Sequence, residues 1–226
     1  PDQIRKACLG SLSRLGTDVI DLYQLHWLDR DGAALEDTWG AMASLVDEGL
    51  VRWIGVSNFG ERTISACEAV RHVDSLQPEL SLLAPGLLDL AAWCGERGIG
   101  VVPYSPLGCG LLSGAIDSSG LPENDWRSGK LWESEQYEEL FAPGKLERSL
   151  EVTARLTQIA ERVGCTPSQL ALAWLLAKPG VTSPIVGTRN ARHIVEDAGA
   201  AEVTLDASTV AETDLLIPLG PSQAAT

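Results

Sequence analysis

Apolar residues recur along this chain in two rhythms. Ile4, Cys8, Leu12 and Leu15 share one face of a helix, and Leu35, Trp39, Met42 and Val46 share one face of another. Between such stretches lie short runs that are apolar on both faces, the pattern of parallel strands covered by helices. These runs predict strands at roughly 19–25, 52–57, 74–78, 100–105 and 183–187. Four times a helical pattern ends at glycine and a strand-like run follows at once. Gly16 precedes TDVIDLYQL, Gly49 precedes LVRWIGV, Gly98 precedes IGVVPYS and Gly180 precedes VTSPIVG. Glycine there relieves the left-handed turn that closes a helix. Thr166-Pro167-Ser168-Gln169 predicts a capping box with proline at the first helical position, opening a helix that runs to about Lys178.

This alternation predicts a single α/β domain over 1–226, with a frayed tail at 217–226. An irregular segment at about 108–145, rich in Gly, Ser and Glu, exceeds the usual loop length and reads as a lid, a clamp or disorder. Five βα units of roughly 30 residues account for the chain, whereas a complete parallel barrel has eight. An open sheet of five parallel strands fits the same pattern. A doubly wound nucleotide fold, however, needs a glycine-rich fingerprint after its first strand. Here that strand ends Leu25-His26-Trp27.

Charge narrows the partners. A net charge of −14 over 226 residues argues against nucleic acid and against an anionic membrane surface. It also means that any bound anion needs a local cationic pocket. No apolar run approaches the roughly 18–20 residues that span a bilayer, and PDQIRKACLG has no apolar core of a signal peptide. A cytoplasmic protein is expected. The cysteines, Cys8, Cys67, Cys94, Cys109 and Cys165, are odd in number, widely spaced and free of C-x-x-C pairs. That suits buried thiols in a reducing compartment and no metal site. Cys109 stands apart because it falls in a glycine-rich loop.

Five phrases carry the chemistry: DLYQLHW (21–27), GVSNF (55–59), LQPEL (76–80), VVPYSPL (101–107) and IVGTRN (185–190). Each puts polar or aromatic residues at the C-terminal end of an apolar run, the end that faces the active site in a β/α barrel. Together they resemble the aldo-keto reductase superfamily. The resemblance implies a (β/α)8 TIM barrel of which this chain supplies about five βα units, the fourth to eighth strands. It also implies NADP(H), in preference to NAD(H), as cofactor and a small carbonyl compound as substrate.

By that resemblance His26 is the active-site histidine that hydrogen-bonds the substrate carbonyl oxygen, and Trp27 lines the substrate cavity. A neutral imidazole can donate to a developing alkoxide; outside this phrase the same histidine would read as a strand-end residue satisfied by backbone. Ser57, Asn58 and Gln77 correspond to the clamp on the nicotinamide carboxamide, which needs both donors and acceptors. Tyr104 corresponds to the ring that stacks on the nicotinamide. The backbone around Ser105, Leu107, Gly108, Gly110 and Leu111 resembles the pyrophosphate loop, where glycines let N–H groups approach oxyanions. Gly187, Thr188, Arg189 and the following helix correspond to the adenosine-phosphate site, with Arg192 and His193 placed for a 2′-phosphate. Glu196 corresponds to an adenine or ribose contact. His193 and Asp197 depart from the residues many relatives carry there, Asp197 by adding negative charge. Trp126 and Trp132 are further candidates for the substrate cavity. Trp39, Trp53, Trp93 and Trp174 read as helix and strand packing.

The family's proton donor is a tyrosine tuned by a lysine and an aspartate, all on the first three βα units, and the resemblance finds none of them here. Tyr23 and Tyr137 are not paired with a lysine in any motif. Two readings follow. In one, the natural protein is a complete reductase and these residues are its C-terminal part. In the other, the chain is a non-catalytic nucleotide-binding or interaction module, a truncated remnant or a regulator of the potassium-channel β-subunit kind.

Overall fold

The computed structural model describes residues 2–28, 32–116, 121, 125–128, 140–142, 144–188 and 190–217. Helices and strands alternate as α1 (Asp2–Leu15), β1 (Ile20–Leu25), α2 (Leu35–Asp47), β2 (Val51–Ser57), α3 (Glu61–Glu68), β3 (Ser75–Gln77), α4 (Leu88–Gly95) and β4 (Gly100–Val101). After a loop region come α5 (Lys145–Val163), α6 (Pro167–Leu176), α7 (Ala191–Ala198) and α8 (Ala207–Asp214). The strands form one parallel sheet in the order β1-β2-β3-β4. Each βαβ step adds the next neighbour, which is the connectivity of a growing barrel wall.

All four helix-ending glycines are left-handed, with φ of 66° at Gly16, 74° at Gly49, 73° at Gly98 and 83° at Gly180. The capping box forms as predicted. Gln169 N donates to Thr166 Oγ1 at 3.2 Å, and Thr166 N to Gln169 Oε1 at 3.1 Å. The helix it opens, α6, is apolar on most sides and buried from Leu170 to Leu175, as a core helix must be.

Two strands are much shorter than the sequence predicts, and β3 is trimmed from 74–78 to three residues. β4 covers only two residues, and the fifth predicted strand is a bridged segment rather than a strand. Pro78 and Pro103 explain the first, since neither has an N–H to give the ladder. The pairing nevertheless continues past them: Tyr104 N donates to Pro78 O at 2.9 Å, and Glu79 bridges Tyr104. The fifth segment runs parallel beside β4, with Thr182 N donating to Val101 O at 2.8 Å and Ile185 N to Pro103 O at 2.7 Å.

The core lies between sheet and helices. Trp39, Met42, Ile54, Ile64, Leu76 and Trp174 are fully buried. Both tryptophan N–H groups are satisfied, Trp39 by Arg71 O at 2.8 Å and Trp174 by Asp214 Oδ1 at 2.7 Å, as a buried indole requires. Leu15 and Trp53 depart from expectation, at 67% and 51% exposed. Trp53 pairs in register with Leu22 on the sheet face opposite the helices, and no described element covers that face there. It is therefore not a packing residue within the described fold.

Candidate functional site

Side chains along a strand alternate between faces, so Gln24 and His26 share one face of the sheet with Gly55, Ser57, Ser75 and Gln77. The register aligns them in rows: Gln24 beside Gly55, Gly55 beside Ser75, and Ser57 beside Gln77. Tyr23 belongs to the other face, half-buried against the helix-side core.

At the C-terminal end of β2 the chain turns left-handed at Asn58, φ 61°, and this gathers four of the predicted residues. Asn58 Nδ2 donates to Ser57 Oγ at 3.1 Å and to His26 O at 3.4 Å. Tyr104 OH donates to Asn58 Oδ1 at 3.0 Å. Ser57 Oγ, 3% exposed, donates to Gln77 O at 2.8 Å, and Asn58 N to the same oxygen at 3.2 Å. One polar network thus joins the ends of β1, β2 and β3 to Tyr104. His26 and Trp27 stand exposed beside it, their rings 6.0 Å apart.

Among the described residues, the non-glycine positions with positive φ are Asn58, Ser105 at 52° and Cys109 at 54°. All three lie in the candidate site. Such conformations cost of order 1–3 kcal/mol each and gather where function over-determines the backbone. Gly108, Cys109 and Gly110 are left-handed in succession within a 3-10 helix, Gly108–Ser113. The turn is held from three sides. Ser105 O accepts from Gly108 N at 2.9 Å, and Leu107 O from Gly110 N at 3.1 Å. Leu111 is buried with Leu140 and Phe141 in a small second core. Arg127, paired through two nitrogens with Asp125, donates to Cys109 O at 3.0 Å. Burial, then the charge of Glu79, pushes the Cys109 thiol up to about 11. It is a neutral thiol at neutral pH and no nucleophile.

Toward the C-terminus, Asn190 caps α7 by accepting from Arg192 N at 3.0 Å. Thr188, His193 and Glu196 are exposed around that helix, as is Gly187. Gln169 braces the helix from below, donating to Glu196 O at 2.8 Å. Asp197 turns inward at 8% exposed, and burial, followed by Glu196, raises its carboxyl pKa while His193 opposes. Arg189, Trp132, Tyr137, the Trp126 side chain, half of the 108–145 segment and the tail from 218 lie outside the described residues.

Volume does not mark this site. A cavity of about 440 Å³ lies at the opposite end of the sheet, lined by Leu9, Leu12, Gly16 and Leu50. Chemistry does mark it: an amide-and-hydroxyl cluster, a left-handed glycine turn and a capped helix N-terminus together fit the carboxamide, pyrophosphate and outer phosphate of a dinucleotide. The described residues contain no group of three His, Cys, Asp or Glu able to hold a metal, and no helix long and apolar enough to cross a membrane.

Gln24, Ser75 and Gly55 escaped the sequence reading. Their signal was the spacing itself: Gln24 lies two residues before His26, hence on the same face.

The family model described as Aldo/keto reductase family matches residues 1–217. The probable aldo-keto reductase 1 of Glycine max is 32% identical over 97% of this chain and 61% of its own length. The aldo-keto reductase yakc [NADP(+)] of Schizosaccharomyces pombe is 36% identical over 94% of this chain and 61% of its own. The chain thus spans about three fifths of these relatives. A thermostable aldo-keto reductase solved with the inhibitor epalrestat superposes at a TM-score of 0.70, with 29% identity over 95% of this chain and 66% of that one.

Proposed function

This chain belongs to the aldo/keto reductase family, and from that premise we propose that its site grips NADP(H) and serves the reduction of an aldehyde or ketone to an alcohol. The observation that carries the reading is the network from Tyr104 through Asn58 and Ser57 to Gln77, held by a left-handed Asn58. In this reading the four strands and the parallel fifth segment are part of the wall of a TIM barrel, and the protein works in the cytoplasm.

NADPH, when bound, supplies the reducing equivalent. Ser57, Asn58 and Gln77 orient the carboxamide, and Tyr104 flanks the ring. The left-handed turn at Gly108–Gly110 would lie against the pyrophosphate, its Gly108 and Gly110 N–H groups spent on Ser105 O and Leu107 O and its shape fixed by Arg127. Arg189, Arg192 and His193 offset the chain's negative field at the outer phosphate. Asp197 turns inward at 8% exposed, away from the exposed side of α7 that carries Arg192 and His193. The name of the fission-yeast relative, which carries NADP(+), supports this cofactor.

His26 donates to the carbonyl oxygen as charge develops on it, with Trp27 forming a wall beside it. The family's proton-donating tyrosine is not among these residues, so the whole protein's turnover needs a donor from elsewhere in the barrel.

The test is NADPH consumption by the whole protein against a panel of aldehydes and ketones; the 226 residues alone should bind NADPH without consuming it. Turnover that requires the carbonyl compound, faster with NADPH than with NADH, is expected. NADPH bound but never consumed by the whole protein would favour the non-catalytic module instead.

A further inference from the structure

Resting on that cofactor reading and extending it, we propose that Gln24 is a positioning residue that sets which face of the Gln77 amide meets the nicotinamide carboxamide. Gln24 lies one row below the clamp, on β1, yet it reaches across β2 to β3. Its Nε2 donates to Ser75 Oγ at 3.1 Å, and its Oε1 accepts from Gln77 Nε2 at 2.9 Å. The reach depends on Gly55. A Cβ at that position would lie 2.1 Å from Ser75 Oγ, 2.7 Å from Ser75 O and 3.2 Å from Gln24 Cγ. Ser75 is itself 6% exposed, so the Gln24 amide is held at both ends in a glycine-floored slot.

The consequence falls on Gln77. A glutamine amide offers two N–H donors and one carbonyl oxygen, and its terminal torsion is broad and roughly two-fold. With Nε2 engaged by Gln24, the Oε1 edge is the one presented at the mouth, where a carboxamide N–H can donate to it. Without Gln24 the amide turns, and its competing orientation offers N–H against N–H. The main-chain oxygen of Gln77 is held separately, by Ser57 and Asn58, so loss of Gln24 loosens the side chain alone.

The experiment compares dissociation constants for NADPH and for 2′,5′-ADP, which lacks the nicotinamide half, in the parent, Gln24→Leu, Ser75→Ala and Gln24→Glu. Gln24→Leu should weaken NADPH about 2–12-fold, the range of one neutral hydrogen bond, and leave 2′,5′-ADP unchanged. Ser75→Ala, a smaller change, should move NADPH affinity in the same direction. Gln24→Glu, whose oxygens accept from both Gln77 and Ser75, should restore affinity toward the parent. Unchanged NADPH affinity in both Gln24→Leu and Ser75→Ala, or equal weakening of both ligands, overturns the role of Gln24 alone. A parent that binds neither ligand overturns the cofactor reading and the inference with it.

Discussion

In the whole protein, His26→Ala should lower kcat/KM for carbonyl reduction by about 100–1000-fold, the effect of losing one donor to a developing oxyanion at about 2.7–4 kcal/mol. The structure makes this a clean substitution. The side chain is exposed at the end of β1, and the contact that ties residue 26 to the cofactor clamp is its backbone oxygen, 3.4 Å from Asn58 Nδ2. Alanine keeps that oxygen. NADPH affinity and thermal stability should therefore stay near the parent's while turnover falls. Steady-state kinetics alongside NADPH titration separates the two, and a variant with parental kcat/KM would remove His26 from the chemistry.

Gly180→Ala should produce the largest loss of stability. Gly180 sits at φ 83°, and a Cβ there would lie 1.8 Å from Ala91 O and 3.2 Å from Gly95 N. Both neighbours are backbone atoms of α4, which no rotamer change can move. Overpacking costs about 1–3 kcal/mol and a left-handed non-glycine about 1–2 kcal/mol more. Thermal or denaturant unfolding should show a loss on the order of 2–5 kcal/mol. Gly187→Ala is the control, because nothing lies within 4 Å of a Cβ there, and it should change stability by no more than about 0.5 kcal/mol. The packing has a functional reach, since Gly180 O receives Val101 N and seats the fifth segment beside β4. If Gly180→Ala unfolded like the control, the fifth segment would not be seated as described.

The same glycine shows why much of the fold was legible. A helix that must stop and hand over to a strand needs a left-handed residue, and only glycine adopts that freely. The sequence therefore marks Gly16, Gly49, Gly98 and Gly180 without knowledge of tertiary contacts. The Thr166–Gln169 box is legible for the same local reason. Where the reading fell short, the cause is non-local. Pro78 and Pro103 interrupt pairing across two strands, and the run at 100–105 looks continuous from within. Trp53 is apolar on a strand, and its exposure depends on what lies over the sheet.

The site divides along the same line. His26, Ser57, Asn58, Gln77 and Tyr104 sit at the ends of apolar runs, so position along a strand exposes them to reading. The left-handed backbone at Ser105 and Cys109 has no local signal, because neither residue type favours it. Gln24 hides inside a strand that is apolar on both sides, and its partners Ser75 and Gln77 are over fifty residues away.

Calorimetric titration of NADPH into the purified protein and into Asn58→Gly tests the central claim most directly. Glycine keeps the left-handed turn at position 58 and removes only the amide that joins Ser57, Tyr104 and the cofactor. The account predicts one NADPH bound per chain and a loss of affinity of about tenfold or more in the variant, consistent with about 1.4 kcal/mol or more of lost hydrogen bonding. No binding by the parent, or equal affinity in both proteins, would contradict it.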